Sequence, residues 1–246
     1  MLKKNEIIYG YTPVVETLLS GKEVEKIFVF KSMLAHKAAE LNKLAKQFDI
    51  PLQYVPKEKL NRFTNQNHQG VVAIVSSVSY VDIETLLPSL FETGKAPFLL
   101  ILDKVTDVRN LGSIARTAEC AGVDAIIVPY RGSAMINADA VKTSAGALNN
   151  INLCRVANLK QTIQFLKNSG VQIIAATEKS ENPFYESDFR NPCAIMMGSE
   201  ESGVSEEYLK LSDEVVLIPM TGQTQSLNVS VATGIILFEG VKQRLN

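Results

Sequence analysis

Apolar residues along this chain fall into short continuous runs, each followed by a stretch in which they recur at helical spacing. In the first third, Ile7-Ile8-Tyr9, Ile27-Phe28-Val29-Phe30, Leu52-Gln53-Tyr54-Val55 and Val71-Val72-Ala73-Ile74-Val75 predict strands. Thr12-Pro13 predicts an N-cap with proline at the first helical position. Val14, Val15, Leu18 and Leu19 form that helix's apolar face, and Gly21 closes it. Further helices are expected over residues 35–48, with Leu41, Leu44, Ala45 and Phe48 inward, and over 57–63. Such alternation implies a small α/β sandwich with its own core.

Between Ser76 and Pro97 the pattern loosens into linker-like Ser and Gly stretches around one short helix, expected over 82–90. This places a first domain at 1–78, a linker at 79–96 and a second domain at 97–246. The second opens with Phe98-Leu99-Leu100-Ile101-Leu102, a core parallel strand by pattern, then a polar loop over 104–110 and a helix over 111–121. Strands follow at 125–128, 151–156, 171–175, 194–197 and 215–218, with helices over 138–148 and 159–168. That is a doubly wound α/β pattern.

The most informative run is Val215 to Glu239. Pro219 ends its strand, because proline has no N–H to donate to a ladder. The polar loop from Met220 to Gln225 leads to Ser226, a favourable N-cap. Leu227, Val231, Ile235 and Phe238 then predict the buried face of a helix. Asn228 and Ser230 interrupt the apolar run near the helix start, where free N–H groups and the positive dipole end attract a polar or anionic ligand. Upstream, Ile195-Met196-Met197 runs into Gly198-Ser199-Glu200-Glu201-Ser202-Gly203. Two strand ends delivering polar loops to one region is how open α/β sheets build ligand crevices.

Composition narrows the classes. With 246 residues, 46% hydrophobic and 21% charged, the chain is an ordinary globular protein. The net charge of −1 hides an asymmetry: residues 1–80 carry 11 Lys/Arg against 7 Asp/Glu, and residues 81–246 carry 14 against 19. A basic N-terminal segment suits RNA docking and equally an ordinary solvated surface. No apolar run is long enough to span a bilayer. Met1 to Asn5 is followed by Glu6 and Tyr9-Gly10 with no apolar h-region, so no signal peptide and a cytoplasmic location are expected. Cys120, Cys154 and Cys193 form no CxxC pair and are expected as buried thiols; with only His36 and His68 besides, no metal site is expected. No GxG and no GxxxxGK occurs, so the dinucleotide fingerprint and the phosphate loop are absent.

Three stretches carry a specific resemblance: Asp103 to Ala118 (DKVTDVRNLGSIARTA), Ile195 to Gly203, and Val215 to Glu239. Together, in this order, they resemble the three motifs of the SpoU/TrmH class of RNA 2′-O-ribose methyltransferases, within the SPOUT superfamily. The resemblance implies an α/β knotted (trefoil) domain that pairs as a homodimer and cradles S-adenosyl-L-methionine in a bent shape. Gly198, Ile218 and Leu227 match positions that hold this cofactor through backbone groups, with Pro219, Met220, Gly222 and Ser226 shaping the pocket. Arg116 matches the principal catalytic residue. A guanidinium is a poor proton acceptor, so the expected role is to bind the adjoining phosphate and stabilise the developing alkoxide. Asn110 would orient ribose or phosphate, Glu200 would orient Arg116 or an amide of the third motif, and Asn228 with Ser226 would face substrate and cofactor. Structural alternatives stand beside these: Arg116 as an ion pair with Glu200, and Asn110 as a plain helix cap. The second motif departs from the family at Glu201, where a glycine is usual.

Tyr9-Gly10 and His68-Gln69-Gly70-Val71 also match the family's N-terminal RNA-recognition domain, which is similar to ribosomal proteins that bind bent RNA. That domain favours the ribosomal-RNA branch, with a guanosine of 23S rRNA as the expected target and transfer RNA as the alternative. Two rivals remain at this point: a non-catalytic RNA-binding or ribosome-assembly factor on the same fold, and a phosphate-handling α/β enzyme.

Overall fold

The computed structural model describes residues 7–224 and 226–245. Residues 1–5, on which the leader reading rests, and Gln225 of the polar loop lie outside the described residues. The chain divides into two compact units: one of residues up to Ser79 together with Met135–Asp139, and one of Tyr80–Ala134 with Ala140–Asn246.

The first unit contains β1 (Ile7–Tyr9), α1 (Tyr11–Leu19), β2 (Val24–Phe30), α2 (Ala35–Gln47), β3 (Leu52–Val55), α3 (Lys57–Asn61) and β4 (Val71–Val75). Its sheet order is β1-β4-β2-β3; β4 runs antiparallel to both neighbours, while β2 and β3 are parallel. The strands are apolar on both faces because both faces are covered. Ile27, Val29, Val71 and Ala73 pack against Val14, Leu18, Leu41 and Leu44 of α1 and α2. Phe28, Val72 and Ile74 point the other way, onto Leu60, Phe63 and Met135. The Ser77 N–H donates to the carbonyl of Ile136 (3.3 Å), tying residues 135–139 to this unit. Helix α1 starts earlier than Thr12-Pro13 suggests: Gly10 is its N-cap, and Thr12 lies inside it.

The second unit contains α4 (Ile83–Glu92), β5 (Phe98–Leu102), α5 (Val108–Cys120), β6 (Ala125–Pro129), then α6 (Ala138–Thr143), whose first two residues belong to the first unit. It continues with β7 (Asn152–Val156), α7 (Leu159–Asn168), β8 (Gln172–Ala176), β9 (Cys193–Met197), α8 (Glu206–Leu209), β10 (Glu214–Val216) and α9 (Val229–Leu245). All six strands are parallel, in the order β10-β8-β9-β5-β6-β7. One face of the sheet, with Leu99, Ile101, Ile127, Ile173 and Met196, packs on Ile83 and Leu87 of α4 and Leu159, Ile163 and Leu166 of α7. Helix α9 packs against α5 and β9. Its far end is clamped by Arg244, which donates to the carbonyls of Phe189 (2.7 Å), Ala96 (2.7 Å) and Asn191 (2.8 Å) and lies over the Phe98 ring.

Four local expectations need correction. The segment expected as one helix over 138–148 breaks at Ala145 and Gly146, both at positive φ, and resumes as a short 3-10 turn over Ala147–Asn149. The strand expected over 215–218 stops at Val216, and Leu217 pairs instead with the 182–184 segment, through Asn182 (2.8 Å) and Phe184 (2.9 Å). Cys120 is exposed, unlike Cys154 and Cys193, because it falls on the outer face at the end of α5. Finally, the face expected to be buried on α9 is exposed: Val231 is 51% accessible, Ile235 37% and Phe238 49%, and Leu227 precedes the helix at 37%. Helix α9 is apolar on two sides, and Val229, Thr233, Ile236, Leu237 and Gly240 form the side that faces the sheet.

Candidate active site

In the parallel sheet every strand delivers its C-terminal end to one edge. At the neighbouring pair β5 and β9 the connections diverge, β5 leading to β6 on one side and β9 to β10 on the other. Such a divergence opens a crevice between the loops, where ligands of open α/β sheets bind.

The loop after β9 is folded tightly on itself. Ser199 and Gly203 exchange backbone hydrogen bonds (3.2 and 2.9 Å), and the Ser202 N–H donates to Ser199 Oγ (3.1 Å). A Cβ on Gly198 would lie 1.9 Å from the carbonyl carbon of Gly203 and 2.1 Å from the nitrogen of Val204, so no other residue fits. The close approach expected at Gly198 is thus made by its own loop. Beyond it, the buried Asp103 at the end of β5 accepts from the Ser205 N–H (2.8 Å), joining the loops after β5 and β9.

Two helix starts complete the arrangement. Asp107 caps α5, accepting from the N–H groups of Arg109 and Asn110 (both 2.8 Å), so Asn110 stands in the first turn of α5 and is neither loop nor cap. At α9 the cap is Asn228 and not Ser226: Asn228 Oδ1 accepts from the Ser230 N–H (3.0 Å) and from its hydroxyl (2.5 Å). With Oδ1 held at the helix, the Asn228 Nδ2 is turned outward. It donates to Asn110 Oδ1 (3.1 Å) and to Glu200 Oε1, and Asn110 Nδ2 donates to the same carboxylate oxygen (3.0 Å). Residues separated by 90 and 118 positions are thereby closed into one polar cluster.

Arg116 lies six residues beyond Asn110 on α5, a rise of about 9 Å. It is exposed and has no hydrogen bond or ion pair among the described residues. Glu200 therefore holds amides, and the ion pair with Arg116 does not form within one chain.

Beside the cluster lies a cavity of about 290 Å³, lined among others by Gly198, Glu200, Ile218, Met220, Ser226 and Leu227. Pro219 and Gly222 lie outside its lining, as do Asn110, Asn228 and Arg116. Among the lining residues that received no role from sequence are Thr177 and Glu178, directly after β8, and Val229 and Ala232 of α9. Position was the available signal for the first pair, since they follow a parallel strand next to β9. The departure at Glu201 also faces this cavity, so three carboxylates, Glu178, Glu200 and Glu201, give its rim one sign of charge. Apolar walls from Ile218, Leu227 and Val229 with a carboxylate rim suit a flat heterocyclic ligand carrying positive charge. Among the described residues no group of three or more His, Cys, Asp or Glu is placed to hold a metal ion.

Comparisons with known proteins match nearly the whole chain. The profile of the SpoU rRNA Methylase family matches residues 97–238, and that of the RNA 2′-O ribose methyltransferase substrate binding domain matches residues 7–81. Bacillus subtilis YacO, ascribed to the TrmH family as a tRNA/rRNA methyltransferase, is 33% identical over 244 residues, covering 99% of this chain and 98% of YacO. The 23S rRNA (guanosine-2′-O-)-methyltransferase RlmB of Shewanella oneidensis is 37% identical over 246 residues, 99% of each chain. The AdoMet-bound rRNA methyltransferase from Sinorhizobium meliloti superposes with a TM-score of 0.63 at 25% identity, covering 98% of this chain and 88% of that one.

Proposed function

Because this chain belongs to the SpoU family of RNA methyltransferases, we propose that it methylates a ribose 2′-hydroxyl of 23S rRNA, on a guanosine, using S-adenosyl-L-methionine. The observation that carries the reading is the cluster of Asn110, Glu200 and Asn228 abutting the cavity, one residue from each of three separate stretches. Full-length similarity to RlmB, including the substrate-binding portion, favours ribosomal RNA; transfer RNA is the second reading, supported by the name that YacO carries.

S-Adenosylmethionine, when bound, supplies an electrophilic methyl group on a sulfonium. Gly198, Ile218, Met220 and Leu227 would hold it in the cavity, with Pro219 and Gly222 shaping the loop around it and Ser226 facing it. The carboxylate rim complements the sulfonium charge. Asn110 and Asn228, fixed by Glu200, orient the ribose beside the cavity. Arg116 would bind the adjoining phosphate and stabilise the negative charge on the 2′-oxygen as its proton passes to water, a task suited to a group that stays protonated.

We assign substrate recognition to residues 1–78 and transfer to 97–246, joined through 79–96. We assign the trefoil knot to the segment from β9 to α9, whose loops share the cavity. The exposed stripe of Val231, Ile235 and Phe238 on α9 supports a homodimer through the C-terminal domain, in which a partner's surface completes the surroundings of Arg116. No described helix is long and apolar enough to cross a membrane, and a cytoplasmic enzyme is the reading that fits an rRNA substrate.

Transfer of labelled methyl from S-adenosylmethionine to unmodified 23S rRNA and to tRNA, followed by mass mapping, tests all of this. The wild type is expected to label a single ribose of 23S rRNA, and Arg116→Ala to lose about 10²–10³-fold in turnover with cofactor affinity kept. Equal labelling by the variant removes Arg116 from the mechanism. RNA binding without labelling by the wild type would leave a binding factor instead.

A further inference from the structure

The cavity at the edge of the parallel sheet carries more negative charge than the polar cluster beside it uses. Glu178, Glu200 and Glu201 line it, and all three are exposed. No lysine, arginine or histidine stands among its described lining residues. None of the three carboxylates is ion-paired among the described residues. Glu200 is held by the amides of Asn110 and Asn228, which are neutral and leave its charge in place. Lys179, next in sequence to Glu178, is engaged elsewhere, with Glu206 (3.9 Å).

Glu178 and Glu201 have no part in that cluster. Glu178 follows β8, and its carboxylate lies against the loop after β9: a Cβ on Gly203 would meet Glu178 Oε2 at 3.7 Å and Oε1 at 4.0 Å. Glu201 belongs to the same loop, at the position where the second motif departs from the family. Two separate chain segments thus bring charge of one sign to one rim. The described lining holds no aromatic ring that could face a cation. Its carboxylates are therefore the side chains able to tell a positive ligand from a neutral one.

That distinction separates the two forms of the cofactor. S-Adenosylmethionine and S-adenosylhomocysteine share the adenosine and the zwitterionic amino-acid tail, and differ by one methyl group and one positive charge. Transfer breaks the methyl carbon–sulfur bond and leaves its electron pair on sulfur. It forms the carbon–oxygen bond and releases the hydroxyl proton to water. The ligand thereby loses its sulfonium charge, while the rim keeps its own. We propose that Glu178 and Glu201 are specificity-determining residues that bias the cavity toward the sulfonium form and away from the thioether product. Attraction confined to the sulfonium vanishes on transfer, which limits occupation of the cavity by spent cofactor. The proposal rests on reading this cavity as the S-adenosylmethionine site, and it adds a charge-based choice between cofactor and product made by two residues outside the transfer cluster.

The test is calorimetric titration of the full chain with S-adenosylmethionine and, separately, with S-adenosylhomocysteine, at low and at high salt. Glu178→Gln and Glu201→Gln keep the side-chain size and remove the charge. Each is expected to lower the ratio of the two affinities about two- to fivefold, the scale of one exposed carboxylate facing a cation. The ratio isolates the sulfonium, because contacts common to both ligands cancel. The loss should fall on S-adenosylmethionine and shrink at high salt, where exposed charges are screened. Equal losses for both ligands overturn the proposal, as does a change in the ratio that salt leaves untouched. A wild type that takes up neither ligand would overturn the cofactor reading itself, and this proposal with it. Binding of both ligands with a ratio unmoved in the double variant overturns this proposal alone.

Discussion

The polar side chains at the edge of the parallel sheet bond one another, whereas those of Asn65 and Gln66, on the Asn65–Gly70 loop of the first unit, have no partner among the described residues. In the first cluster Asn110, Glu200 and Asn228 use their amide and carboxylate groups to fix each other, and two helix caps fix them in turn. In the second, Asn67, His68 and Gln69 are tied down, while the side-chain amides of Asn65 and Gln66 have no partner among the described residues. Catalysis gains from groups that need not reorganise as charge develops, so mutual bonding suits a transfer site. Recognition of a flexible strand gains from groups that are still unsatisfied, because water is their only competitor. The difference lies in hydrogen-bond bookkeeping, and each change below is chosen to disturb one side of it.

The largest effect is expected at Glu200. Glu200→Ala removes the acceptor shared by Asn110 and Asn228 and frees both amides to rotate, so turnover should fall by about 10²–10³-fold. Glu200→Gln keeps one carbonyl oxygen and should recover part of that loss. A double-mutant cycle with Asn228→Ala measures whether the residues act as a unit. Additive losses would mean that the bonds seen here do not govern the chemistry, and the contrast between the two regions would fail. RNA affinity should change little in either variant.

Much of this arrangement was legible in the sequence because parallel strands announce themselves as apolar runs, and chemistry collects at their C-terminal ends. Gly198, Glu200 and Leu227 could be placed on one side of the sheet without coordinates, since their motifs follow strands whose C-terminal ends share one edge of a parallel sheet. Caps were harder. Ser226 and Thr12 are good capping residues by type, but Asn228 and Gly10 hold those positions, because packing of the following helix decides where its first turn begins. The start of α5 shifted for the same reason: Asp107 bonds two N–H groups at once, drawing Asn110 into the helix. The buried face of α9 was misassigned because a helix apolar on two sides satisfies the same periodicity twice, and only the fold shows which side meets the sheet. The resemblance pointed Glu200 at an amide of the third motif, which Asn228 supplies, but closure of the ring through Asn110 had no sequence signature, since it joins side chains about 90 and 120 positions apart.

Asp107 offers a smaller disturbance of the same region. Asp107→Ala leaves two N–H groups of α5 without their acceptor, and the loss of such a cap costs about 1 kcal/mol of stability. Because Asn110 is one of the two residues released, a fall in turnover beyond what unfolding explains is expected, smaller than that for Glu200→Ala. Thermal unfolding and turnover of the same variant check this. A variant that unfolds earlier but turns over normally below its transition would confine Asp107 to stability.

The smallest expected effect probes the first unit through pH. Burial, reinforced by the charge of Lys57, holds the His68 imidazole below its ordinary value of 6.5. The unfolded chain therefore binds the proton more readily than the folded one, so this group's contribution is complete above about 6.5 and is lost as pH falls toward the folded value. Protonation also takes away the Nδ1 lone pair that accepts from the Gly70 N–H, so the change should be felt at that amide first. Protection of the Gly70 amide from hydrogen exchange, corrected for the intrinsic rate, should decline below pH 6.5, and His68→Gln should flatten the decline. Cofactor binding in the second unit should not follow this decline. Gly70 protection that stays constant across the interval would remove the His68 Nδ1 bond as the lock on this loop.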